Sequence, residues 1–393
     1  MKSSYEDVDV TGRRVLVRED LNVPLKDGQV EDDTRIRAAL PTLRNLHERR
    51  ARVIVMSHLG RPKGRRDDAY SLRPVAERLG ELLRLDVRFA QDCVGGPAQA
   101  AVRELHDGEV LLLENVRFHP EEETNDEGFA RSLAALGDLY VNDAFAASHR
   151  AHASVVGVAK FLPAYAGALM QSELAALHRA LDAPRRPLLA IVGGAKVSTK
   201  AGVLRFLLPK VDALLVAGAM ANTFFKSQGL EVGASFFEAE ALDEARSVTE
   251  QAGDKLLLPV DAVCARKMEA GQETATRSVG QVPAGWMMLD LGPRSVELFA
   301  GRLQGAGTIV WNGPVGVAEI PDFRSGTKAV AEAIASSGAY SLIGGGDTAA
   351  AVEALGMASR FSHVSTGGGA TLEYMEGKEL PGVAILKEAH ATA

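Results

Sequence analysis

Residues 342–355 read LIGGGDTAAAVEAL. An apolar run stops at three glycines, an aspartate follows, and an alanine-rich helical stretch begins. Strand, tight turn and helix in that order are the repeating unit of α/β folds. Gly344, Gly346 and Ala349 fit the loose G-x-G-x-x-A pattern of dinucleotide-binding turns. Asp347, however, stands where such a turn cradles a pyrophosphate, and a carboxylate beside a phosphate is repelled unless a cation lies between them. A dinucleotide turn also places an acidic residue about twenty positions later, on the ribose. The matching stretch here, RFSHVSTGGG (360–369), has no carboxylate. The residues fit a turn in which Asp347 binds Mg²⁺, directly or through water, and the metal bridges phosphate oxygens. Thr348 would then open the helix with its hydroxyl near the phosphates. A plain helix N-cap is the other role open to Asp347, and the two are compatible.

The same grammar recurs along the chain. Short apolar runs such as RRVLVRED, ARVIVMSHLG, EVLLLENVRF and LYVNDAF occupy the first half, and RPLLAIVGGAK, DALLVAGAM, DKLLLPVD, WMMLDLG and GTIVWNG the second. Continuous rather than alternating apolarity suits strands covered on both faces, as in a parallel sheet. Helical spacing lies between the runs: Leu72, Val75, Leu79 and Leu82 predict a helix with Ser71 as its N-cap. Met170, Leu174, Leu177 and Leu181 predict another, stopped by Pro184 and Pro187. We read this second helix as the joint between two α/β domains, one more crossover helix being the alternative.

Bulk properties agree. A chain of 393 residues is too long for one ordinary core, so two domains are expected. A net charge of −7 argues against a general nucleic-acid binder, so any anion site must come from local clustering. Cys93 and Cys264 form no C-x-x-C pair, and the histidines show no spacing such as H-E-x-x-H, so spacing points to no zinc site. The start has no apolar segment of secretory type, and no apolar stretch reaches the roughly 18–20 residues a membrane helix needs. A reducing cytoplasmic setting is expected, without membrane or nucleic-acid partners.

Open parallel sheets bind ligands beyond the carboxyl ends of their strands, so the residues closing each run carry the functional reading. The first half offers EDLNVP (19–24), TRIR (34–37), SHLGRPKG (57–64), ENVRF (114–118) and SHRAHAS (148–154). These hold Asp20, Asn22, Arg35, His58, Arg61, Arg117 and Arg150, with His149 and His152 beside the last. Guanidinium groups bind phosphate and carboxylate with a planar fork of donors, so several of them at neighbouring strand ends make a pocket for a small polyanion. The second half offers glycine turns instead. GGAKVSTK (193–200) carries Lys196 and Lys200, which a helix would present on one face. WNGPVGVAE (311–319) ends on Glu319, and STGGGA (365–370) exposes backbone N–H groups. Together these suggest a nucleotide, with its phosphates on amides and lysine and a diol on Glu319.

Taken as a set, EDLNVP, SHLGRPKG, LLLENVRF, SHRAHASVVG, GGAKVSTK, WNGPVGVAE, IGGGDT and STGGGA resemble the phosphoglycerate kinase family, in its order and over nearly the whole chain. The resemblance implies two Rossmann-like three-layer lobes with parallel sheets, joined by a hinge helix. It places a phosphoglycerate-binding lobe at residues 1–171, with the tail 381–393 packing back on it, and a nucleotide-binding lobe at 172–380. It implies reversible transfer of a phosphoryl group between 1,3-bisphosphoglycerate and Mg·ADP, giving 3-phosphoglycerate and Mg·ATP, in a monomer. Asp20, Asn22, Arg35, His58, Arg61, Arg117 and Arg150 would hold the glycerate ligand. Lys200, Glu319, Gly345, Gly346, Asp347 and Thr348 would hold the nucleotide, with Asp347 on the metal. Arg35, Lys196, Lys200 and the amides of Gly367 to Gly369, Gly368 and Gly369 above all, would stabilise the transferring group. Glu19, Ala217 and Ala318 depart from the family pattern. A nicotinamide-dependent dehydrogenase and a non-catalytic ligand sensor are the rival readings; the first needs no Mg²⁺, and the second binds without turnover.

Overall fold

Apolar runs that end in polar residues form parallel strands in both halves of the chain. A computed structural model describes residues 2–388 and divides the chain into two units: the first runs to Ala175 and resumes at Glu379, and the second spans Ala176–Lys378. The sheet of the first unit runs, across its width, Val87–Phe89, Val110–Leu112, Arg52–Met56, Arg14–Arg18, Leu139–Asn142 and Ala164–Ala166, all parallel. Val15, Val17, Val53, Val55 and Val141 share one core with helices Thr34–Glu48 and Arg73–Leu83. Leu16, Ile54, Leu111 and Tyr140, pointing the other way, are also buried. Both faces are covered, which is why these strands read as unbroken apolar runs.

The second unit repeats the plan with Leu256–Leu257, Ala213–Val216, Leu188–Val192, Thr308–Asn312, Tyr340–Gly344 and His363–Val364, again all parallel. Numbered along the chain, these six strands lie in the order 3-2-1-4-5-6, the arrangement of dinucleotide-binding folds. The order reverses between Leu188–Val192 and Thr308–Asn312, so the crevice for a ligand opens beyond Val192 and Asn312. In the first unit the chain order is 3-4-2-1-5-6, with its reversal between Arg14–Arg18 and Leu139–Asn142.

Three expectations need correction. The WMMLDLG run forms Met287–Leu291 in a separate three-stranded antiparallel sheet with Asp261–Ala265 and Thr274–Ser278. Its run is continuous because Met288 packs into one cluster with Trp286 and Cys264, while Leu289 packs into another with Ala265 and Phe323. Ser71 is not the N-cap residue of its helix, although its Oγ accepts from Arg73 N–H (3.3 Å). Leu72 stands at the N-cap, and Glu114 takes both the Ser71 hydroxyl (2.8 Å) and the Leu72 N–H (2.9 Å). Lys196 and Lys200 do not lie on a helix, since residues 193–200 form an irregular turn and the helix begins at Ala201.

The helix Ala168–Leu181 contains the boundary between the two units, at Ala175 and Ala176. Its first N–H groups, which no helix satisfies internally, are met from the first unit. Thr42 Oγ1 accepts from Ala168 N–H (2.9 Å), and Asp143 Oδ1 from Met170 N–H (2.9 Å). Past Glu379 the chain returns to that unit: Gly382 bonds Ser148 and Asn142, and Lys387 accepts from Ser3 N–H. Residues 389–393 of the expected tail lie outside the described residues. Thr42→Val removes an acceptor at the helix start and should cost about 1 kcal/mol. A lower urea midpoint at unchanged slope measures this; an unmoved midpoint would mean that Asp143 alone holds the helix start.

Candidate active site

In the first unit, side-chain-to-backbone bonds stitch the loops beyond the strands together. Asp20 Oδ1 accepts from Asn22 N–H (3.1 Å), and its Oδ2 from Arg35 Nη1 (2.9 Å). Asn22 Oδ1 accepts from Gly60 N–H (2.8 Å), and Gly60 C=O from Arg117 Nη1 (2.8 Å). One chain of bonds thus positions Asp20, Asn22, Arg35 and Arg117. Arg117 is buried and pairs with Glu123 (3.2 Å); Arg150 Nε donates to His149 Nε2 (3.1 Å).

His58 shows that these cations converge. Burial, followed by the charges of Arg18, Arg117, Arg150 and Arg35, holds its pKa well below the ordinary histidine value. Arg18 Nη2 lies 3.0 Å from His58 Nδ1. An arginine can only donate, so Nδ1 accepts and the neutral ring carries its proton on Nε2. His58 is therefore a fixed hydrogen-bond donor, not a proton shuttle at neutral pH. His152 is likewise pushed down to about 4 by burial and then by Arg117, Arg18 and Arg150. Arg61 stands apart: it is exposed, and no hydrogen bond or ion pair among the described residues anchors it.

Arg18 escaped the reading of the sequence. It is fully buried, with Nε donating to Ser154 Oγ (2.9 Å), which donates in turn to Glu122 Oε1 (2.6 Å). Ser154 N–H also donates to Glu122 Oε2 (2.8 Å). The signal was present in VLVR, where a lone charge closes an apolar strand.

The second unit builds its site from backbone. At the reversal of strand order, Gly193 and Gly313 approach so closely that a Cβ on Gly313 would lie 2.1 Å from Gly193 O, and Gly313 has φ 93°. Only glycine fits there. Lys200, half-buried, donates to Asn312 Oδ1. Burial lowers the Lys200 pKa, and the charges of Asp347 and Glu376 oppose that shift. Asn312 Nδ2 is buried with no partner, 3.0 Å from where a Cβ on Gly345 would lie. Gly345, at φ 92°, is the N-cap of helix Gly346–Ala354, and Asp347 stands exposed in its first turn. Thr348 is fully buried, and its Oγ1 accepts from Gly313 N–H (2.6 Å), so it ties two turns together. Gly368, at φ 50°, is the N-cap of the short helix Gly369–Tyr374. Lys196 is exposed.

A cleft of about 1060 Å³ opens beside these turns, lined by Gly218, Ala219, Pro314, Val317, Glu319 and Asp347 among others. Its small apolar walls, with the carboxylates of Glu319 and Asp347 at their margins, suit a flat base carrying a charged tail. Ala318 lines it as well, whereas Ala217 is buried in the core of the unit.

Glu19 has a clear physical consequence. It is fully buried, neither carboxylate oxygen has a donor, and Oδ2 of the neighbouring Asp143 also lacks one. Two carboxylates cannot donate to each other, so one proton between them resolves the conflict. Burial and then the Asp143 charge raise Glu19 well above the usual carboxylate range, and burial lifts Asp143 to about 6. Both folded-state values exceed the unfolded ones near 4. The pair therefore contributes stability below about pH 4 and loses it as pH rises through about 6. Glu19→Gln should gain stability relative to the parent between pH 5 and pH 8 in urea titrations; an equal difference at both pH values would contradict a shared proton.

The model of the family described as phosphoglycerate kinase matches residues 5–378. The phosphoglycerate kinase of Pelotomaculum thermopropionicum is 55% identical over 388 residues, covering 98% of this chain and 99% of its own. That of Rubrobacter xylanophilus is 56% identical over 387 residues, covering 98% of each. Among solved structures, phosphoglycerate kinase from Coxiella burnetii superposes with a TM-score of 0.91 at 44% identity, and that from Pyrococcus horikoshii with 0.85 at 33%, each over 98% of both chains. The chain belongs to the phosphoglycerate kinase family, glycolytic enzymes that move a phosphoryl group to and from the carboxyl of 3-phosphoglycerate.

Proposed function

We propose that the two units divide this reaction, the first holding the glycerate ligand and the second the nucleotide. One observation carries the reading: Arg18, Arg35, Arg117 and Arg150 all act on His58 at the strand ends of the first unit. A cluster of that charge calls for an anion with several negative groups. We assign Asp20, Asn22, Arg35, His58, Arg61, Arg117 and Arg150 to 3-phosphoglycerate or 1,3-bisphosphoglycerate, with Asp20 taking a hydroxyl hydrogen bond. Arg61, exposed, is free to fold onto the ligand. Lys200, Glu319, Gly345, Gly346 and Asp347 are assigned to the nucleotide, while Thr348 secures the turn from beneath.

The chemistry needs no general base. In the ATP-consuming direction the nucleophile is the ionised carboxylate of 3-phosphoglycerate. Its oxygen bonds to the γ-phosphorus as the bond to the β–γ bridging oxygen breaks, and ADP leaves with that electron pair. Catalysis then consists of alignment and charge stabilisation of an in-line transfer. We assign this to Arg35, Lys196, Lys200 and the amides of Gly368 and Gly369. The two ligands must meet, and we assign that step to bending about the helix Ala168–Leu181.

Asp347 fits a magnesium ion: it offers a hard oxygen ligand, and no hydrogen bond or ion pair among the described residues occupies it. Mg²⁺ held there would offset phosphate charge. We take the active protein to be a monomer. No helix among the described residues is long and apolar enough to cross a membrane.

Arg35→Ala should lower kcat by about 10²–10³-fold, the scale of losing one transition-state contact, with ADP affinity unchanged by calorimetry. A large loss of ADP affinity would move Arg35 to the nucleotide. Asp347→Ala should shift the Mg²⁺ dependence of turnover to higher concentration; activity retained at ordinary Mg²⁺ would remove Asp347 from the metal.

A further inference from the structure

Away from the catalytic residues, the fold gathers a second set of side chains with ligand chemistry. Asp92 and Cys93 follow the edge strand Val87–Phe89, and His119 follows the short helix Val116–Phe118. One carboxylate oxygen, the thiol sulfur and one imidazole nitrogen of these residues all lie within 4.8 Å of one another. Cys93 is fully buried, while Asp92 and His119 are half-buried, leaving a path to solvent. The His119 ring is oriented from two sides: Nε2 lies 2.7 Å from Asp92 Oδ1, and the ring rests on Phe129 with centroids 5.1 Å apart. Spacing along the chain did not reveal this group, because Cys93 and His119 belong to different loops.

We propose that Asp92, Cys93 and His119 bind one divalent transition ion of zinc type, with water as the fourth ligand. A thiolate, an imidazole and a carboxylate suit Zn²⁺ or Co²⁺ and do not suit Mg²⁺, which prefers an all-oxygen octahedron. Tetrahedral bonds of about 2.0–2.3 Å place ligand atoms roughly 3.3–3.8 Å apart, so His119 Nε2 and Asp92 Oδ1, now 2.7 Å apart, must open, while any pair near the 4.8 Å limit closes by about 1 Å. The thiol releases its proton to solvent as the Cys93–metal bond forms. The hydrogen bond from His119 Nε2–H to Asp92 Oδ1 breaks, the ring proton passing through solvent to Nδ1, and Nε2 and a carboxylate oxygen of Asp92 bind the metal. The ion would tie the loop after the edge strand to the turn that carries Arg117, two residues before His119. Occupancy should therefore alter affinity for 3-phosphoglycerate and leave affinity for the nucleotide alone.

The test is a Co²⁺ titration of the full-length, metal-free protein, followed by absorption. The expected result is one equivalent bound, with the strong visible bands of tetrahedral cobalt and a near-ultraviolet thiolate charge-transfer band. Excess Zn²⁺ should abolish both, and Mg²⁺ should not. Cys93→Ser should remove the charge-transfer band and Cys264→Ser should keep it. His119→Gln should weaken Co²⁺ binding by at least about tenfold with kcat unchanged; it decides the matter if Cys93→Ser does not fold. A pale octahedral spectrum, or a charge-transfer band surviving His119→Gln at full affinity, would overturn the site.

Discussion

Crowding like charges at the end of one sheet is the constraint around which the first unit is arranged. Arg18, Arg35, Arg117 and Arg150 all act on His58, and each needs a partner or water to remain charged. The structure supplies partners by depth. Arg18, the most buried, reaches the sealed carboxylate of Glu122 through Ser154. Arg117 has Glu123 and a backbone carbonyl, and Arg35 has Asp20. Arg61, exposed, has no hydrogen bond or ion pair among the described residues. The residual positive field is what an anionic ligand meets, and His58, kept neutral by burial and then by that field, adds a donor without adding charge.

The second unit solves a similar problem by other means. It has close-packed main chain and an unsatisfied amide, Asn312 Nδ2, brought together because Gly193, Gly313 and Gly345 let backbones approach where a side chain would crowd them. An amide donor carries no formal charge, which suits the nucleotide site proposed there. Lys200, partly buried there, is steadied by Asn312.

Much of this was legible in the sequence because the parallel sheets are covered on both faces, so strands such as Leu188–Val192 read as unbroken apolar runs and their last residues mark the site. The same rule misled at Met287–Leu291, where an antiparallel strand is also covered on both faces. It hid Thr274–Ser278 entirely, since that edge strand has no apolar run to find. Arg18 was masked by its place inside a strand. Lys196 and Lys200 were misread because a four-residue spacing implies a shared face only on a helix, and the glycines at 193 and 194 prevent one.

The first unit needs both ends of the polypeptide. Ser3 binds Lys387, while Gly382 locks onto Ser148 and Asn142. During synthesis, every residue from Ala176 to Lys378 is made before those closing partners are. The later-encoded unit is thus the earlier one to have all its parts. The loop that carries Arg150, two residues past Ser148, gains its bond to Gly382 only after the whole second unit has been made.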